Sequence, residues 1–170
     1  MLQVAQYGYM DIQSKVIKNT DNSSPVKAYA TIVLNNNIAI NGFRIIDIGT
    51  DDNDAMFVAM PSNRNSDGKY YDMAFPTRSE VKEDIINSVI GNYVDNPSSL
   101  PVEKSPVDMK ITVRLHKTKA YGDEVPAVGE IRLSDSFVIS GIKIICRDGN
   151  IVKCRKSRIK MVITMIWQFL

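Results

Sequence analysis

The residues able to do chemistry are few and scattered. His116 is the only histidine. When residues 10–46 are laid without a gap over residues 109–145, it falls on Ile17, so a shared catalytic role is not expected and a surface or partly buried ring is. Cys146 and Cys154 are too few for a disulfide framework and lack the paired Cys/His spacing of a zinc site, which points to an ordinary reducing compartment, the cytoplasm. Asp51, Asp52, Asn53 and Asp54 superficially resemble a calcium loop. The Gly such a loop requires is missing and Ser62 stands where a bidentate Glu should be, so a solvated hairpin loop is the plain reading. Neither a nucleophile elbow nor a phosphate-cradling glycine loop occurs. The sequence predicts no enzyme, no metal and no cofactor.

Binding through charge must be local. Lys plus Arg is 21 against 19 for Asp plus Glu, a net of +2. Lys153, Arg155, Lys156, Arg158 and Lys160, with no acid after them, supply five of those cations, which leaves residues 1–152 at −3. Residues 10–95 hold eight cations and twelve acids, or −4. Bulk charge therefore opposes binding to a polyanion. The best local cluster is Arg64 and Lys69 in a polar hairpin loop, with Arg78 and Lys82 at a helix start whose backbone amides also favour a phosphate. Tyr70 and Tyr71 alternate faces if they lie on a strand, so one is expected in the core and one exposed. Arg44 and Lys143 occupy aligned places on a strand, where a cation serves sheet solubility as easily as binding.

The elements that must carry these residues are mostly strands. At 170 residues, with 44% apolar and 24% charged residues, the chain suits one medium domain or two small ones. Ala28, Ala30, Ile32 and Leu34 alternate with Tyr29, Thr31 and Val33; Asn35, Asn36 and Asn37 supply a turn; Ile38, Ile40 and Phe43 resume. The patterns predict strands near 11–18, 26–34, 38–47, 56–61 and 69–74. Thr77 and Glu80 have capping-box spacing, and Val81, Ile85, Val89 and Tyr93 recur every four residues, predicting a helix near 78–93. No stretch approaches the roughly 20 apolar residues of a membrane span, and residues 1–9 lack the basic start of a secretory signal.

The gapless overlay of 10–46 on 109–145 matches 11 of 37 positions, among them Ile32/Ile131, Leu34/Leu133, Ile40/Ile139 and Gly42/Gly141. It predicts a duplicated α+β unit. The expected organisation is an N-terminal extension at 1–9, a first unit at 10–94, a Pro-rich linker at 95–108 and a partial second unit at 109–152, then a tail at 153–170. Pro97, Pro101 and Pro106 mark the linker.

These residues resemble the SpoVG family. The likeness runs from Met10 to about Val94 and is carried by KAYATIVLNN, INGFRIID, FVAMPS at Phe57–Ser62, SDGKYYDMAFP at Ser66–Pro76 and the SEVKEDI helix start. Phe75 stands where the family usually has His, so no role passes to that ring. The resemblance implies a small α+β domain with an antiparallel sheet meander and a C-terminal helix, dimeric, acting as a regulator in septation or sporulation that binds DNA or RNA, without enzymatic activity. A protein-interaction module in division control is the alternative. Pairing of the units is expected within one chain, since a linker of about 14 residues reaches roughly 40 Å when extended; a homodimer is the other arrangement.

The second copy departs abruptly after Val152. Reading each codon's third base with the first two of the next forces Gly at Met161/Val162, Asp at Met165/Ile166 and Ala at Trp167/Gln168. These fall at the places of Gly68, Asp72 and Ala74 with the same spacing. The tail from about Cys154 therefore reads as the out-of-frame translation of a second unit, which then lacks its last strands and helix.

Overall fold

The computed structural model describes residues 10–49, 56–95, 109–147 and 150–155. The expected N-terminal extension, the acidic loop at 51–54, nearly all of the linker and most of the tail lie outside them. Strands β1 (Ile12–Lys18), β2 (Val26–Leu34), β3 (Ile38–Asp47) and β4 (Met56–Ala59) form an antiparallel sheet in sequence order. The β2–β3 turn holds Asn35 and Asn36 at φ 48° and 55°, and the Asn37 amide donates to the Leu34 carbonyl at 3.0 Å. Two successive left-handed residues are what a type I′ turn demands, and Asn tolerates that region better than most side chains.

The chain then departs from a simple meander. β5 (Ser62–Arg64) and β6 (Tyr70–Asp72) form a separate two-stranded ribbon, and β7 (Ala74–Pro76) joins a different sheet. The single strand expected at 69–74 is thus two strands broken at Met73. The Met73 amide donates to the Pro61 carbonyl at 2.7 Å, while its carbonyl accepts the Ser140 amide at 2.8 Å. One residue hands the chain from one sheet to the other, and no local pattern in the sequence marks that exchange.

Helix α1 (Ser79–Asp95) follows, burying Val81, Ile85 and Val89. It lies on β1, where the buried Ser14 hydroxyl donates to the Ser88 carbonyl at 2.9 Å and accepts from Ser88 Oγ and Asn92 Nδ2; Asn92 also donates to the Ser14 carbonyl at 2.7 Å. A buried hydroxyl needs such partners, since leaving it unpaired costs about 1–3 kcal/mol. Thr77 is not turned to the helix as the capping-box spacing suggested. Its hydroxyl donates to the Asp135 carbonyl at 2.8 Å and its amide to the Ser136 carbonyl at 2.8 Å, both in a turn at the end of the far sheet.

That second sheet is built from β8 (Ile111–Lys117), β9 (Ala127–Leu133), β10 (Phe137–Arg147) and β11 (Asn150–Arg155), with β7 on the first part of β10 and β11 on the last part. The strand β11 runs past the expected break at Val152. β8 pairs β9 from Ile111↔Leu133 to Lys117↔Ala127, as β1 pairs β2 from Ile12↔Leu34 to Lys18↔Ala28. Ser134 and Asp135 turn with φ 46° and 54°. Gly42 and Gly141 both take positive φ, 101° and 69°. One hydrophobic cluster runs through both sheets, from Ile32, Phe43 and Ile85 to Leu133, Phe137 and Ile139. The architecture is α+β with antiparallel sheets.

Candidate nucleic-acid interface

The ribbon decides where the proposed contact residues point. Its register pairs Asn63 with Tyr71 and Arg64 with Tyr70, and residues directly opposite share a face. Arg64 and Tyr70 therefore project together, with the guanidinium 5.9 Å from the ring centroid. The Arg64 Nε also donates to the Gly68 carbonyl at 3.0 Å, closing the turn in which Gly68 sits at φ 81°. A side chain at Gly68 would meet both that conformation and the guanidinium, 3.1 Å away. Arg64 is thus part of the ribbon's own structure as well as an exposed cation. Lys69 follows the turn, its amide held by Asn65 Oδ1 at 2.8 Å.

Both tyrosines are exposed, Tyr70 at 69% and Tyr71 at 46%, which corrects the expectation that one is core. The alternation is as read, but a two-stranded ribbon has no sheet layer to bury either face. Asn63, Asn65 and Tyr71 instead face a groove of about 740 Å³ against the outer side of the second sheet, lined there by His116, Tyr121 and Lys143. Lys143 Nζ stands 3.9 Å from the Tyr121 ring centroid, close enough for a cation–π contact. The acid in the groove, Glu130, accepts from Arg132 at 2.8 Å and lies 3.9 Å from Arg114, so its charge is met locally.

Arg78 and Lys82 sit together at the start of α1, the Lys82 amide donating to the Arg78 carbonyl at 3.1 Å. Along the chain, β7 and Thr77 separate them from the ribbon. The four expected contact residues therefore fall into two pairs, and none of the four lines the groove. Arg44 donates to Ser62 Oγ at 3.1 Å, tying the first sheet to the ribbon. His116, Tyr121 and Lys143 were not singled out for binding, because what gathers them is the tertiary packing of ribbon on sheet. Among the described residues, no group of three or more His, Cys, Asp or Glu could hold a metal ion, and no helix is long and apolar enough to cross a membrane.

An α+β fold of antiparallel sheets, with one helix after the first seven strands and an exposed aromatic and basic ribbon, is the class this geometry defines. The SpoVG family model matches residues 10–95, and the chain belongs to that family. Relatives that carry the SpoVG septation-protein name include one from Macrococcus caseolyticus, 38% identical over 78 residues, covering 46% of this chain and 64% of the relative. The one from Geobacillus thermodenitrificans is 31% identical over 84 residues, 49% of this chain and 83% of its own length. The one from Staphylococcus saprophyticus is 28% identical over 92 residues, 54% of this chain and 87% of its own.

Proposed function

We propose that the chain is a regulator of the SpoVG type, acting in septation-linked control by binding nucleic acid, and that its two β-rich regions are copies of one unit paired within the chain. The name shared by its relatives supports the septation role. The observation that carries nucleic-acid binding is the groove, where Tyr71, Tyr121, His116 and Lys143 line one opening. Aromatic faces beside the Lys143 cation suit unstacked bases and a phosphate, and base stacking contributes about 1–3 kcal/mol per base. The groove thus favours single-stranded DNA or RNA over an intact duplex.

Duplication is supported by the identical hairpin registers, the aligned left-handed turns at Asn35–Asn36 and Ser134–Asp135, and the positive-φ pair Gly42 and Gly141. The pairing of β7 with β10 supports intrachain pairing of the units. A second reading, a protein-interaction module without nucleic-acid contact, is favoured by the net −4 of residues 10–95 and by the exposed Ile111, Val113 and Leu115 on β8. Gel shifts with short DNA and RNA at two salt concentrations separate the two. Phosphate binding weakens steeply with salt, and an apolar protein contact does not. Absence of any salt-sensitive shift would select the interaction module.

A further inference from the structure

One face of the second sheet and one edge of the first point to the same occupant. On β8, Ile111, Val113 and Leu115 are 54%, 55% and 48% exposed. Ile111 and Val113 stand opposite Leu133 and Ile131, which are buried, so the exposed stripe continues the core face onto an edge strand. The aligned residues on β1 are Ile12, Ser14 and Val16, and there α1 covers the strand through Ser14, Ser88 and Asn92. β8 offers the matching surface, while α1 packs mainly on β1.

The other open place is on β3. In the second sheet the first part of β10 takes β7 along its outer edge, Phe137↔Pro76 to Ile139↔Ala74. The aligned part of β3, Ile38–Ile40, pairs only with β2 among the described residues, since β4 begins its pairing at Arg44. A strand followed by a helix, of the kind formed by β7 and α1, reaches in this chain from the edge of one sheet to the face of the other. Its counterpart, placed by the same relation, would set its strand on Ile38–Ile40 and its helix on β8. One segment fills both places.

We propose that the β3 edge and the β8 face form a single docking site for a strand–helix segment of the chemistry of residues 72–95, offered by another polypeptide. The inference rests on the duplication reading above. Shape, not charge, selects the occupant: Lys110 and Arg114 alternate to the opposite face of β8 and lie 3.8 and 3.9 Å from Asp135 and Glu130, and Lys117 aligns with Lys18, which stands beside Tyr93 at the last turn of α1. The site also differs from its counterpart in one instructive way. Val113 stands where β1 has Ser14, so a helix seated there meets a methyl surface at the point where Ser88 and Asn92 find hydrogen-bond partners on β1. The fitting helix is apolar at those two places.

The test uses the full chain and a fluorescein-labelled synthetic peptide of residues 72–95, read by anisotropy. Saturable one-site binding is expected, tightened about tenfold by Ser88→Ala with Asn92→Ala in the peptide, because polar groups no longer enter an apolar contact unpaired. Val113→Asp in the chain is exposed and should fold normally by circular dichroism, yet lose at least about tenfold in affinity. Ala39→Pro should weaken binding by removing a strand-edge donor. No saturable binding, or binding indifferent to Val113→Asp, overturns the docking site. A frame-restored chain tests the underlying reading separately: added helix content that shields Val113 supports duplication even if the peptide fails, and no added helix refutes duplication itself.

Discussion

Phe137→Ala probes whether the two sheets share one core. The ring has no exposed surface and sits on β10 between Leu133 of β9 and Pro76 of β7. Removing a fully buried phenyl costs about 3–5 kcal/mol, the transfer term plus the cavity that remains. Domains of this size hold roughly 5–15 kcal/mol in total, and each kcal/mol lowers Tm by about 2–4 °C, so a drop near ~10 °C is expected. The cluster runs unbroken from Phe137 to Ile85 and Val89 on α1, so the loss should be global. Urea unfolding followed by circular dichroism measures the cost, and native-state hydrogen exchange locates it. Amides of α1 should lose as much protection as those of β9. If β9 and β10 lose protection while α1 keeps its own, or if the cost is under about 1 kcal/mol, the two sheets do not share a core.

Ser14→Ala should destabilise the chain by about 1–3 kcal/mol, because Ser88 is deprived of a buried partner; equal midpoints in urea would refute the helix–strand lock. In gel shifts, replacing Arg64, Lys69, Arg78 and Lys82 with Ala should lower the salt slope by roughly one unit for each phosphate no longer neutralised, and an unchanged slope would exclude these cations. Tyr71→Ala and Lys143→Ala, which open the groove, should weaken single-strand binding more than Arg44→Ala, whose guanidinium is held by Ser62; equal effects would count against the groove. Asp21 accepts hydrogen bonds from the Ser23 hydroxyl at 2.6 Å and amide at 3.0 Å, which hold its carboxyl below the ordinary value. Its contribution to stability is present above the unfolded-state value near ~4 and is lost as pH falls through the lower folded value. An NMR titration should find the Asp21 pKa rising toward the ordinary value in Ser23→Ala, and no change would deny the hydroxyl its role.

The main strands were legible because alternation is a local property: β2 and β3 fall at 26–34 and 38–47 as the apolar spacing required. The helix was legible for the same reason, with Val81, Ile85 and Val89 buried at a four-residue spacing. The ribbon was not, since Ser62, Asn63 and Arg64 have no apolar residue to betray a strand. Nor was the destination of Thr77, whose spacing to Glu80 satisfies a capping rule while its hydroxyl bonds across to Asp135. A capping motif states what a side chain is able to do locally, and a carbonyl arriving from a distant turn is invisible to it. The groove was not legible: none of the four cations named from the sequence lines it, because it depends on which face of the ribbon meets the second sheet.

The handover at Met73 gives the molecule a topology in which covalent order and spatial order disagree. β7 belongs by sequence to the stretch before the Pro-rich segment, yet it is a rung of the sheet built after it. A cut anywhere within residues 96–108 would therefore leave two fragments clasped by that strand and by the common core rather than released from each other. Mixed as separate peptides, such halves should reassemble by complementation, so the joining peptide sets their effective concentration and not the shape they take.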